Sequence, residues 1–162
     1  TDSDDAEVIS MTKLLEDVVN EGRALSLGRH VITLEACRAS LVGEPSDIRS
    51  AAMNLVSNAV RYTPEGGRID VRWFRTSSGA VLSVKDTGIG IEEKHIPRLT
   101  ERFYRVDKGR SRSTGGTGLG LAIVKHVCRS AGGQLKIEST PGKGSTFSMV
   151  FPKSRIFDDE SV

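Results

Sequence analysis

Cysteine, proline and aromatic residues are all scarce in this chain, and none of its apolar runs is long. Two cysteines, Cys37 and Cys128, stand alone among 162 residues. They make no CxxC pair and no Cys/His cluster, which excludes the disulfide frameworks of small secreted domains and the ligand spacings of zinc sites. Five prolines against 17 glycines exclude a proline-rich linker, and the glycines keep no three-residue period, which excludes collagen. The strongest apolar stretch, Leu119 to Val127, is interrupted by Lys125 and His126 and falls well short of the ~20 residues of a bilayer span. The opening TDSDDAE is acidic, whereas an export signal opens on basic residues followed by an apolar run. A reducing cytoplasm is the expected compartment.

Net charge is scarce as well, +2 with a pI near 8.6, too balanced for a general nucleic-acid binder. The charge is uneven, however: between Arg98 and Arg112 six basic residues meet two acidic ones. What remains is the composition of one globular domain, 37% hydrophobic and 27% charged, without internal repeats or low-complexity tracts. The expected bounds are a lead-in over 1–7, a domain over 8–153, and a tail over 154–162 carrying the acidic Asp158-Asp159-Glu160.

Periodicity predicts the elements. Ile9, Leu14, Leu15, Val18, Val19 and Leu25 predict an amphipathic helix from Val8 to Leu25, closing near Gly22 to Gly28. His30 to Leu34 reads as a strand, with Ser40 to Val42 its short partner. Pro45-Ser46-Asp47 reads as a turn in which Asp47 caps a second helix, ending near Thr63-Pro64. Arg68 to Arg75 and Ala80 to Lys85 form a hairpin about Thr76 to Gly79. Ile91 to Thr117 lacks a sustained period apart from a short helix at Glu93 to Phe103, and an irregular stretch of that length is expected to be a cover or binding loop. Leu119 to Ser130 is a helix stopped by Gly132-Gly133, and Gln134 to Ser139 with Thr146 to Phe151 makes a final hairpin. The order is α+β, with helices on one face of an antiparallel-rich sheet. Trp73 is expected to pack that sheet and Cys128 to be a small buried hydrophobe.

Three constellations carry chemistry. At about 100° per residue, Asn54, Asn58 and Arg61 share one stripe beside the apolar face of Ile48, Ala52, Leu55 and Ala59. Carboxamide oxygens are neutral, hard ligands suited to Mg²⁺, and an adjacent Arg holds phosphate; a solvated helix face shows the same pattern. Asp86-Thr87-Gly88-Ile89-Gly90-Ile91 follows a strand, placing a hydrogen-bond acceptor beside glycines that let the backbone approach a flat ligand such as adenine; a plain strand-ending turn has the same composition. Gly115 to Leu121 leads into a helix whose N-terminal amides suit phosphate. No GxxxxGK[ST] occurs, and Gly116, Gly118 and Gly120 alternate after a polar loop, so neither P-loop nor dinucleotide fingerprint is present.

In combination these segments resemble a known family. N-L-V-S-N-A-V-R-Y-T-P at Asn54 to Pro64, D-T-G-I-G-I at Asp86 to Ile91, E-R-F-Y-R at Glu101 to Arg105, G-G-T-G-L-G-L-A-I-V-K at Gly115 to Lys125 and P-G-K-G-S-T-F at Pro141 to Phe147 resemble the catalytic ATP-binding domain of bacterial sensor histidine kinases. The run from Ile96 through Lys108, with Arg110-Ser111-Arg112, is further similar to the kinases that sense phosphate limitation. The resemblance implies a Bergerat-type α/β sandwich, a mixed sheet and a helical layer holding ATP under a lid of about residues 92–117.

By the same resemblance Mg²⁺ belongs to Asn58 with Asn54 nearby, and Asp86 binds the adenine amino group in a pocket shaped by Gly88 and Gly90. Ser145 helps fix the adenine through water. Arg61, Tyr62 and Arg105 face the phosphates, with Asn54, Arg61 and Arg105 the expected catalytic set. Phe103 is the lid's aromatic anchor, and Gly116, Thr117, Gly118, Leu119 and Gly120 wrap the triphosphate. Related ATPases such as gyrase place a Glu general base where this chain has Asn54. An amide cannot take that proton, so hydrolysis is expected to be slow and the γ-phosphoryl kept for another acceptor.

That acceptor is expected to be a histidine, but His30, His95 and His126 lie outside any H-E-[LF]-R-T-P box. The implied partners are therefore dimerisation and phosphoacceptor helices and a downstream response regulator, with this segment a monomer making no membrane contact, the cytoplasmic part of a membrane-anchored sensor. Rival readings are a nucleic-acid surface on the basic stretch, where only Phe103 and Tyr104 offer stacking, a fold retired from nucleotide binding, and a serine kinase or hydrolase of the same superfamily.

Overall fold

Alternation builds the larger sheet. Ile69, Val71 and Trp73 turn inward along β4 (Arg68–Thr76), while Phe147, Met149 and Phe151 do so along β7 (Gly144–Pro152). Between them lies β5 (Gly79–Asp86), buried at every position but Lys85. The computed structural model describes residues 6–102, 104 and 120–158. Within them β2 (Val31–Ala36), β4, β5, β7 and β6 (Gln134–Thr140) form a five-stranded sheet in that spatial order. β2 pairs with β4 in parallel and the other neighbours are antiparallel, so the sheet is mixed, as expected.

Three helices, α1 (Met11–Ser26), α2 (Pro45–Tyr62) and α3 (Gly120–Ser130), lie on this sheet with α2 central, in contact with both others. Ile48, Ala52, Leu55 and Ala59 are each at most 2% exposed, so the predicted apolar face of α2 is its buried one. Trp73 is 1% exposed, meets Phe151 edge-on, and donates its indole N–H to the Ala39 carbonyl at 2.9 Å. Cys128 is fully buried, and desolvation pushes its thiol up to about 12, which leaves it inert.

The expected elements change in five places. Val8 to Ser10 belong to a strand, β1 (Glu7–Ser10), not to the helix: Ile9 pairs with Leu41 and is buried, and α1 begins only at Met11. The segment at Ser40 to Val42 is a strand, β3 (Ala39–Gly43), but it pairs with β1 and with β8 (Ile156–Asp158), not with β2. The cap of α2 is Glu44, whose carboxylate accepts from the Ser46 and Asp47 amides at 3.2 and 2.9 Å, with Pro45 opening the helix. The helix expected from Glu93 to Phe103 is a 3-10 helix that ends at Arg98; Pro97 has no N–H to carry an α-helical ladder onward. Finally, Asp158, on β8 beside β3, ion-pairs with Arg75 of β4, and Glu7 pairs with Gly43. Strand pairing therefore reaches Glu7 at one end and Asp158 at the other.

Candidate functional site

The site begins at the end of the central strand. Asp86 closes β5 with its side chain turned inward, 6% exposed. Its Oδ1 accepts from the Gly88 amide at 2.8 Å and the Ser145 amide at 3.1 Å. Among the described residues nothing donates to Oδ2. Burial pushes the carboxyl above the ordinary aspartate range, against the pull of the two amides. A buried acceptor with one oxygen committed and one open is a place for an external donor.

The following loop is wedged between α2 and the β6–β7 turn. A Cβ on Gly88 would stand 2.5 Å from the Tyr62 carbonyl oxygen and 2.8 Å from Asp86 Oδ1, so no side chain fits. Gly90 has φ +74°, and its Cβ would stand 2.1 Å from the Thr140 carbonyl oxygen. The Ile89 amide donates to Tyr62 O at 3.3 Å, and the Gly142 amide donates to Ile89 O at 2.7 Å. Ser139 Oγ accepts from the Ile91 amide at 2.8 Å and lies 2.7 Å from Ser145 Oγ. Thus Ser145, 59 residues away in sequence, is bonded to Asp86, and Gly88 and Gly90 shape the loop beside them.

The second part runs along α2. Asn54, Asn58 and Arg61 are half-buried on one stripe, and Asn58 stands one turn, about 6 Å along the axis, from both Asn54 and Tyr62. Asn54 donates its amide N–H to Ser50 O at 2.8 Å, and its Oδ1 lies 2.8 Å from where a Cβ on Gly120 would stand. The N-terminus of α3 therefore abuts Asn54, and glycine permits the approach. The Arg61 guanidinium lies 5.9 Å from the centroid of the Tyr62 ring. Tyr62 links the parts, since its carbonyl supports the Asp86 loop.

Mg²⁺ takes oxygen ligands and keeps several waters. With the Asn54 nitrogen tied back to Ser50, its oxygen meets no donor among the described residues, which fits that chemistry. Among the described residues no three His, Cys, Asp or Glu side chains cluster as a metal site. Phe103, Arg105, Gly116, Thr117, Gly118 and Leu119 lie outside the described residues, as does most of the expected lid.

Sequence reasoning missed three supports. Ser139 is detectable in hindsight, because it pairs with Ser145 across a tight hairpin. Among the described residues Thr63 Oγ1 is buried without a hydrogen-bond partner, and it faces the Gly88 position; no local pattern marks it. His30, read as the start of a strand, instead precedes β2 and donates Nε2–H to the Thr63 carbonyl at 2.6 Å while its Nδ1 lies 2.8 Å from Ser26 Oγ. It ties the ends of α1 and α2 together.

Comparison with known proteins agrees with this architecture. Phosphate regulon sensor protein PhoR of Pseudomonas aeruginosa is 52% identical over 158 residues, 96% of this chain and 36% of that protein. Sensor-like histidine kinase SenX3 of Mycolicibacterium smegmatis is 37% identical over 151 residues, 92% of this chain and 39% of its own length. The chain thus spans little more than a third of these relatives. The solved structure of the mycobacterial sensor histidine kinase MprB superposes with a TM-score of 0.82 at 30% identity, covering 90% of this chain and 97% of that one. The model of the histidine kinase-, DNA gyrase B- and HSP90-like ATPases matches residues 43–155, a span that runs from before α2 to past β7, and the chain belongs to that family.

Proposed function

We propose that this chain binds Mg-ATP and donates the γ-phosphoryl group to a histidine on a dimerisation and phosphoacceptor domain, as the kinase half of a two-component system. The observation that carries the reading is Asp86, a buried acceptor with one free oxygen, joined through Tyr62 to a carboxamide stripe. Asp86 Oδ2 accepts from the adenine amino group, and Gly88 and Gly90 let the ring lie against backbone. Ser145 holds Asp86 through its amide and fixes adenine through water. Asn58, with Asn54 beside it, holds Mg²⁺, which neutralises charge on the phosphates when bound. Arg61 and Tyr62 face the phosphates, and Arg105, Phe103 and the glycines from Gly116 to Gly120 complete the site.

In the transfer the bond between the γ-phosphorus and the β–γ bridging oxygen breaks, its electron pair leaves with ADP, and a phosphorus–nitrogen bond forms to the acceptor imidazole. Asn54 supplies no general base, so water is a poor substitute for that imidazole. The downstream partner is a response regulator, and the segment works on the cytoplasmic side of a membrane-anchored sensor. Among the described residues no helix is long and apolar enough to cross a membrane.

Calorimetric titration with a non-hydrolysable ATP analogue, with and without Mg²⁺ and against GTP, tests the reading. Binding that Mg²⁺ strengthens and GTP does not displace is expected; no binding under any condition overturns it. The purified chain is further expected to hydrolyse ATP more slowly than about 1 s⁻¹, the low end of ordinary turnover.

A further inference from the structure

Leu135 and Ile137 alternate onto the helix-covered face of β6, opposite the buried Met149 and Phe147 of β7. Both pack against the core yet stay only half-buried. Two elements share the cover of that face. α3 contacts β6, and so does the 3-10 helix Glu93–Arg98, whose six residues make about two turns. Between them lies a cavity of about 440 Å³, with Ile96, Leu135 and Ile137 as its aliphatic lining and Lys125 and Arg129 of α3 as its charge. No residue of the nucleotide site lines it.

Lys125 and Arg129 stand four residues apart, on one side of α3. Among the described residues no carboxylate lines the cavity or pairs with either cation, whereas Arg49, Arg72, Arg75 and Arg98 each hold one. Arg129, in the last turn, also offsets the negative end of the helix dipole; Lys125, a turn earlier, has no such duty. An inorganic anion would meet the two cations and leave the aliphatic lining wet, and an uncharged apolar molecule would do the reverse. A molecule carrying both an apolar body and a carboxylate meets both, by burying aliphatic surface and by charge-assisted hydrogen bonds to the two cations. The volume lies in the range of small-molecule sites, about 300–1,000 Å³. We propose that the cavity between α3, β6 and the 3-10 helix is a binding site for a small aliphatic carboxylate, its chain on Ile96, Leu135 and Ile137 and its head on Lys125 and Arg129. The site stands whether or not the nucleotide reading holds.

The test is a ¹H–¹⁵N NMR titration of the unsubstituted chain with sodium octanoate, beside acetate, which has the charge without the chain, and octylammonium, which has the chain with the opposite charge. Octanoate is expected to bind with a dissociation constant on the order of a millimolar, the ordinary yield of so few atoms. Saturable shifts are expected at the amides of Ile96, Lys125, Arg129, Leu135 and Ile137, with none from acetate or octylammonium. Lys125→Gln combined with Arg129→Gln is expected to weaken octanoate about three- to tenfold, the scale of two partly exposed ion pairs, with the thermal melt retained. If the double substitution prevents folding, Lys125→Gln alone, away from the helix end, carries the test with about a two- to threefold loss. Absence of octanoate binding, equal binding of octylammonium, shifts centred instead on Asp86, Gly88 and Ser145, or undiminished binding by the folded substituted chain overturns the proposal.

Discussion

The two ends of the site are built differently. At the Asp86 end the groups that matter are fixed by main-chain hydrogen bonds from the loop after β5, from β7 and from the β6–β7 turn, and by glycines with no room for a side chain. At the Asn54 end they are side chains on one helix face, half-buried, with the N-terminus of α3 against them. The first is rigid before any ligand arrives. The second, on the proposed reading, depends on side chains that a metal and phosphates would draw together. On the proposed function, base recognition is preformed while the geometry of transfer is assembled on binding.

The largest expected effect breaks the rigid end. Asp86→Asn keeps an oxygen able to accept from Gly88 and Ser145 but turns an amino group toward the adenine amino group, so two donors face one another. Nucleotide affinity is expected to fall by about a hundredfold or more, the scale of a buried mispaired polar contact. Because the loss concerns the base, calorimetry is expected to show the same factor for adenosine, ADP and the ATP analogue. A factor that grows with the number of phosphates would erase the distinction between the two ends.

The converse experiment acts on the helix stripe. Asn58→Ala removes a neutral oxygen without disturbing the buried face of α2, so the fold is expected to persist by circular dichroism and thermal melting. Affinity for the ATP analogue without Mg²⁺ is expected to be unchanged, while the strengthening by Mg²⁺ falls by about tenfold, the scale of losing one charge-assisted ligand. Full Mg²⁺ enhancement in this variant would move the metal to Asn54 or to groups beyond α2.

The same contrast governs what could be read in advance. Local patterns reached the hairpins, the central helix and the D-T-G-I-G loop, because alternation, helical period and glycine each act over a few residues. They did not reach the partner of β3, since any short apolar strand satisfies its pattern equally and only the whole chain decides that β1 and β8 flank it. Val8 and Ile9 misled because their apolar character suits a helix start as well as a strand. Glu44 does not stand out as a cap because shorter side chains lead that role, yet its longer carboxylate reaches Ser46 and Asp47 all the same. At the site Asp86 was legible, whereas Thr63, His30 and Ser139 support it through contacts between distant segments.

The smallest expected effect is on stability, and it sharpens the comparison because the rigid end should bear a cost that the stripe does not. Burial raises the carboxyl of Asp86 in the folded chain above its ordinary value, so between the ordinary aspartate range and that raised value the folded state binds more protons than the unfolded one. Stability contributed by this group is then fully present below the ordinary range and is lost as pH rises through the folded value, with a limiting slope of about 1.4 kcal/mol per pH unit. Asp86→Asn carries no ionisable group and escapes that loss. Denaturant midpoints for the two chains are therefore expected to coincide in acid and separate as pH rises, the substituted chain becoming the more stable. Binding should move oppositely, since the ionised carboxylate is the better acceptor. A wild-type chain that gains stability over Asp86→Asn as pH rises would show that the two amides, and not burial, set the charge of Asp86, and that the site holds its acceptor without strain.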